Sequence, residues 1–229
     1  MTRTELREEI RRMLRDTSTD TSRQRWTDTD LNSRINWAQL KISTLTRCLQ
    51  TRTTTNITSG TSEYTFATDF LAEITVLYLD SDSDWKALQK ITEKELDLYE
   101  TEWRSTDGTP THYYIRENQL GLYPNPDVSR TNALRYDYYE TPDDLSADSG
   151  ATGTPFNAIS ELIPFHDIIT IEVARKCKID EGLYPDADRL KIEFDRRLRE
   201  MKHQLGMKAE ETRIINIYET ARSKSRRTK

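Results

Sequence analysis

Apolar residues recur every three or four positions at both ends of the chain and every second position in its middle. Near the amino terminus Leu6, Ile10, Met13 and Leu14 share one face of a predicted helix, opened by Thr2 and Glu5 at capping-box spacing. The run from Asp16 to Arg25 is rich in Thr, Ser and Asp and reads as a loop. A second helix follows Thr27, with Asp28 and Asp30 in its first turn and Trp26 and Leu31 spaced as a hydrophobic staple. Its apolar stripe is Leu31, Ile35, Ala38, Ile42, Leu45 and Leu49, which must pack on another helix, within the subunit or across an interface. Intramolecular core is the commoner use of such a stripe and is the expectation.

From Thr51 the period becomes two. Thr51 to Ile57, Glu63 to Phe66, Ile74 to Leu79, His112 to Ile115, Gln119 to Tyr123 and Ala133 to Tyr139 read as strands, with a short helix from Thr92 to Trp103 between them. Nine of the eleven tyrosines lie between Tyr64 and Tyr139, as an aromatic-rich antiparallel sheet requires. Helical spacing returns after the Ser, Thr and Gly loop from Ser146 to Pro155. Pro164 to Ile179 carries Phe165, Ile168, Ile169, Val173 and Cys177, and Gly182 and Pro185 mark a break. A last helix from about Pro185 aligns Ala187, Leu190, Phe194, Leu198, Met201 and Leu205, with Gly206 as its expected stop. The pattern predicts an α+β protein. A discontinuous helical bundle (1–50 and 144–206) holds an inserted antiparallel β domain (51–143) and continues into an extended carboxy-terminal tail (207–229).

Composition narrows the classes. Leu, Ile, Val and Phe make only a fifth of the 229 residues, which predicts a thin core that gains from self-association. No apolar run is long enough to span a membrane, and the charged first fifteen residues lack the apolar stretch of a secretion signal. Two cysteines, Cys48 and Cys177, build neither a disulfide framework nor a cysteine zinc site, and synthesis in a reducing cytoplasm is the expectation. The net charge of −5 is uneven: Arg222, Lys224, Arg226, Arg227 and Lys229 end the chain with no acid among them, leaving −10 on the remainder.

The search for chemistry finds no phosphate-cradling glycine loop and no nucleophile elbow. His112, His166 and His203 fall on separate elements without a partner at metal-ligand spacing. Asp80, Asp82 and Asp84 alternate like the opening of a calcium loop, but Trp85 and Ile91 occupy the positions that need Gly and Glu, so a hairpin turn is expected. Asp143 with Asp144 and Asp186 with Asp188 fit a turn and a first helical turn. No catalytic residue, metal or cofactor is expected. The remaining feature is the tail, where Ile214, Ile215, Ile217 and Tyr218 precede the basic end. A free apolar strand of this kind is a candidate for adding to another subunit's sheet or groove, its positive end pairing with an acidic protein surface or DNA phosphate.

Three segments resemble tailed-bacteriophage head-to-tail connector (adaptor or head-completion) proteins. Trp26-Thr27-Asp28-x-Asp30-Leu31 leading into Ile35-Asn36-Trp37-Ala38 is similar to their opening helix. Gly108 to Tyr114 and Leu120-Gly121-Leu122-Tyr123-Pro124-Asn125-Pro126 resemble their central β insert, and Tyr136 to Leu145 the strand that leaves it. The resemblance spans most of residues 26–205. It implies a structural virion protein without enzymatic turnover, forming a ring, commonly of twelve copies, beneath the portal at one capsid vertex. It also implies that the tail docks on the portal protein, that the other face receives a tail or nozzle protein, and that genomic DNA passes through without sequence-specific binding. Two alternatives stay open: a carbohydrate-binding module built on the aromatic insert, and a DNA-binding module that uses the basic tail.

Overall fold

The computed structural model describes residues 1–18, 20–81 and 83–225; of Thr21 and residues 207–225 only the backbone path is described. The chain divides into two compact units, Met1–Cys48 with Pro142–Lys229, and Leu49–Thr141.

The first unit is helical. Helix α1 (Arg3–Leu14) and helix α2 (Asp28–Thr46) each open with a capping box, Thr2 with Glu5 and Thr27 with Asp30, which satisfies amide donors that a helix start leaves bare. The chain returns through single 3-10 turns into α4 (Asp167–Asp180) and α5 (Tyr184–Ser225). In α4 every residue from Ile168 to Ala174 is buried, polar Thr170 and Glu172 included, because α1, α2 and α5 all pack on it. A helix buried on all sides is the centre of its bundle. It begins at Asp167 rather than Pro164, since Ser160–Phe165 forms a tighter turn ahead of it. The returning segment has little regular structure of its own and leans on α2. Gln39 donates to the Asp143 carbonyl (2.8 Å) and accepts from the Phe156 amide (3.0 Å), while Asn36 accepts from the Leu145 amide (3.0 Å).

Gly206 does not stop the last helix. Helix α5 runs through it to Ser225, so the segment expected as a free strand has a helical backbone. One interior glycine costs about 1 kcal/mol relative to alanine. Met207, Lys208, Ala209, Glu210 and Glu211 follow it directly and are good helix formers, with no proline beyond.

In the second unit the β1 (Gln50–Ile57), β3 (Phe70–Leu79), β4 (Trp85–Ala87) and β10 (Arg130–Glu140) strands form one antiparallel sheet in the order β1-β10-β3-β4. The second sheet is β2-β8-β7-β5, from β2 (Glu63–Thr65), β5 (Gln89–Lys90), β7 (His112–Arg116) and β8 (Gln119–Tyr123). Two pairings of two residues each are parallel, β5 with β7 and β6 (Asp107–Gly108) with β9 (Asn125–Pro126). Alternation sends Leu134, Tyr136 and Tyr138 of β10 inward, where they meet Val76, Tyr78, Leu120 and Leu122 in one core. Phe66 stacks on Phe70 at 3.8 Å and meets Tyr136 edge-on at 5.4 Å. The phenols keep partners: the Tyr138 hydroxyl donates to Asp69 (3.0 Å), and the Tyr136 hydroxyl accepts from the Ala67 amide (3.2 Å). The other face of the second sheet carries a smaller core. There Tyr114 covers Gly121, whose missing side chain is required, because a Cβ would lie 2.0 Å from the ring.

The helix expected from Thr92 to Trp103 is shorter. Helix α3 spans Glu93–Tyr99, opens with a Thr92–Glu95 capping box and ends at an extended Glu100. Trp103 sits in a separate turn because its ring is buried against Tyr114 (5.2 Å) and its indole donates to Asp97 (2.7 Å).

Candidate assembly surfaces

The α2 stripe is spent inside its own unit. Leu31, Ile35, Ala38 and Ile42 are completely buried, whereas Leu45, the last but one residue of the helix, is 45% exposed and Leu49 lies beyond it, buried in the second unit. Five of the six stripe residues are therefore buried within the chain, four in the helical unit and Leu49 in the β unit. The opposite side of α2 presents Trp37 and Leu40, 42% and 44% exposed, one turn apart.

A charged lock sits beneath this helix. Glu172, fully buried on α4, receives Lys41 of α2 at 2.7 Å and a bidentate fork from Arg175 at 2.8 and 2.7 Å. Burial works against its charge, but Arg175 and Lys41 outweigh it and hold the carboxyl below its ordinary pKa. At the other end of α2 the Trp26 indole donates to Glu181 (3.1 Å), which also pairs with Arg25 (2.8 Å), and Arg34 stacks over the Trp26 ring. These contacts tie α2 to the α4–α5 corner. They are structural, and no nucleophile or general base stands free among them.

The histidines stay apart. His166 is buried, its Nδ1 2.8 Å from the Met1 amino group and its Nε2 without a partner. Burial, reinforced by that ammonium, pushes the imidazole down to about 4, so it is neutral near pH 7. His112 meets Thr111 and His203 lies on the exposed side of α5. Asp80 and Asp84 lie in the β3–β4 turn as expected; Asp80 pairs with Lys86 and accepts from Ser81, which holds it down to about 2. Asp82 lies outside the described residues. Among the described residues no group of acids, histidines or cysteines is arranged to hold a metal ion, and no helix is long and apolar enough to cross a membrane.

The most exposed large apolar residues of the described chain are Leu98 and Tyr99 at the end of α3, at 78% and 84%. In the same segment Leu96 and Trp103 are buried, and Asp97 binds both the Trp103 indole (2.7 Å) and Arg104 (2.9 Å). The sequence pattern placed a helix here without distinguishing its faces. Leu96 against the adjacent pair Leu98–Tyr99 carries that signal, since one short helix cannot bury both.

The surrounding charge is one-sided. Residues 49–141 contain sixteen acids and eight bases, a net −8, so the rest of a chain at −5 carries +3. Residues 207–229 alone hold seven bases and three acids, a net +4. Side chains of the expected docking residues Ile214, Ile215, Ile217, Tyr218, Arg222 and Lys224 lie outside the described set, as do Arg226, Arg227 and Lys229 altogether.

The model of the SU10 adaptor protein family matches residues 1–216 of this chain. The chain belongs to the SU10 adaptor protein family. This is a phage head-tail adaptor family, so the chain is a phage structural adaptor and a virion component that acts through contacts with other head and tail proteins. Comparison with curated proteins finds no match.

Proposed function

We propose that this adaptor assembles as a ring of twelve copies beneath the portal at a single capsid vertex. It joins the head to a tail or nozzle protein and lines the channel through which the genome leaves. Family membership over residues 1–216 is the observation that carries this reading. Synthesis occurs in the host cytoplasm, and the assembled protein resides in the neck of the particle.

The distribution of charge supports the mechanism. Acid concentrated in the β unit repels the phosphate backbone, so DNA slides past without sticking. The segment 207–229 is the part suited to reach the portal, its basic end from Arg222 onward making that contact. A stripe on α2 that is used in its own core leaves the ring seams to other surfaces.

The carbohydrate alternative loses its platform. Most aromatic side chains of the β unit point into its cores, and Tyr99 is the one strongly exposed ring among its described residues. The test is removal of residues 207–229. The shortened chain is expected to fold and to lose co-sedimentation with portal rings; retained attachment would overturn the docking role of the tail.

A further inference from the structure

Leu98 and Tyr99 are two adjacent large apolar side chains held in water, and paired exposure of that kind marks a contact surface. Their surroundings are acidic. Glu93, Glu95, Asp97, Glu100 and Glu102 lie within five residues of the pair against Lys94 and Arg104, a net −3, and across the β unit acids outnumber bases two to one. The occupant must therefore be apolar and positively charged. One segment of this chain has that composition: residues 207–229, with three isoleucines, a tyrosine and a net +4.

The backbone of α5 carries that segment outward. Met201 is its last buried residue with a described side chain, and the helix continues to Ser225, about 36 Å farther at 1.5 Å per residue. A segment of this length has the reach to touch a second copy. A knob at one place on a subunit and its complement at another make a heterologous contact, the type that closes into a ring.

We infer that Leu98 and Tyr99 form a docking knob for the basic, isoleucine-rich carboxy-terminal segment of a second copy of this chain. This rests on the ring reading above and adds a clasp to it. The stretch around Ile214 to Tyr218 covers the neighbour's knob, and the basic run from Arg222 onward continues toward the portal.

The test uses intact particles carrying the full-length chain with Tyr99→Cys and Tyr218→Cys together. Mild oxidation is expected to give a ladder of linked copies that neither single variant produces. The native Cys48 and Cys177 are present in every sample as the background. A ladder no stronger than in the single variants, or links confined within one chain, would overturn the clasp. Leu98→Ser combined with Tyr99→Ser provides the second readout. Both residues are exposed, so the subunit folds, and the copies retained per particle are expected to fall at least tenfold. Unchanged retention would overturn the clasp while leaving the ring intact; wild-type particles holding the chain in one copy would overturn the ring reading itself.

Discussion

Lowering the pH should loosen this protein through one buried imidazole. His166 is 1% exposed, with the Phe156 ring centred 6.0 Å away, the Met1 amino group on Nδ1, and Asp167 and Glu5 acting weakly in the opposite direction. Its pKa falls from an ordinary 6.5 to about 4 on folding, mainly through burial. The unfolded chain thus binds this proton more readily. The contribution to stability is complete above pH 6.5 and is lost as the pH falls toward 4. A shift of this size corresponds to at most about 3 kcal/mol at 1.36 kcal/mol per unit. Between pH 7 and pH 5 roughly 2 kcal/mol of it should disappear. Carboxylates titrate too, so the measurement is a difference: urea unfolding of the native chain and of His166→Gln at both pH values. The native protein should lose about 2 kcal/mol more than the variant over that interval. Equal losses in the two proteins would refute the claim that this histidine is held neutral.

Three further outcomes follow from particular contacts. Glu172→Ala should destabilise the helical unit by about 3–5 kcal/mol, because Lys41 and Arg175 lose a buried partner; Glu172→Gln should cost less, and urea titration reads both. Gly121→Ala should lower the melting temperature by driving a methyl group into the Tyr114 ring, at a cost of about 1–3 kcal/mol. Tyr114→Ser should recover part of that loss in the double variant. Removal of the Asp97 carboxylate by Asp97→Ala strands the buried Trp103 indole N–H and should destabilise the β unit by about 1–3 kcal/mol, followed by tryptophan fluorescence during unfolding.

Three helix starts and the two-residue period of the strands were legible because they are local. Thr2, Thr27 and Thr92 each stand three residues before an acid, and each capping box forms. The inward tyrosines of β10 follow the two-residue period. Helix ends were less legible, since they depend on what lies nearby in space. Trp103 leaves α3 for a place under Tyr114, Leu45 runs out of neighbours before its helix ends, and Gly206 is carried through by the helix formers after it. The buried Glu172 was missed for the same reason: its partner Lys41 is 131 positions away. Leu98 and Tyr99 were visible as letters but not as a surface, because only burial of Leu96 shows which way α3 faces. Family membership was legible from the order of weak motifs between Trp26 and Leu145, each uninformative alone.

Electron microscopy of particles carrying this chain is the most direct test of the ring. Reconstruction at the portal vertex should show twelve copies in a closed ring between the portal and the tail, with carboxy-terminal helices directed at the portal. Density for the chain spread over the whole shell, or present as a single copy at that vertex, would contradict it.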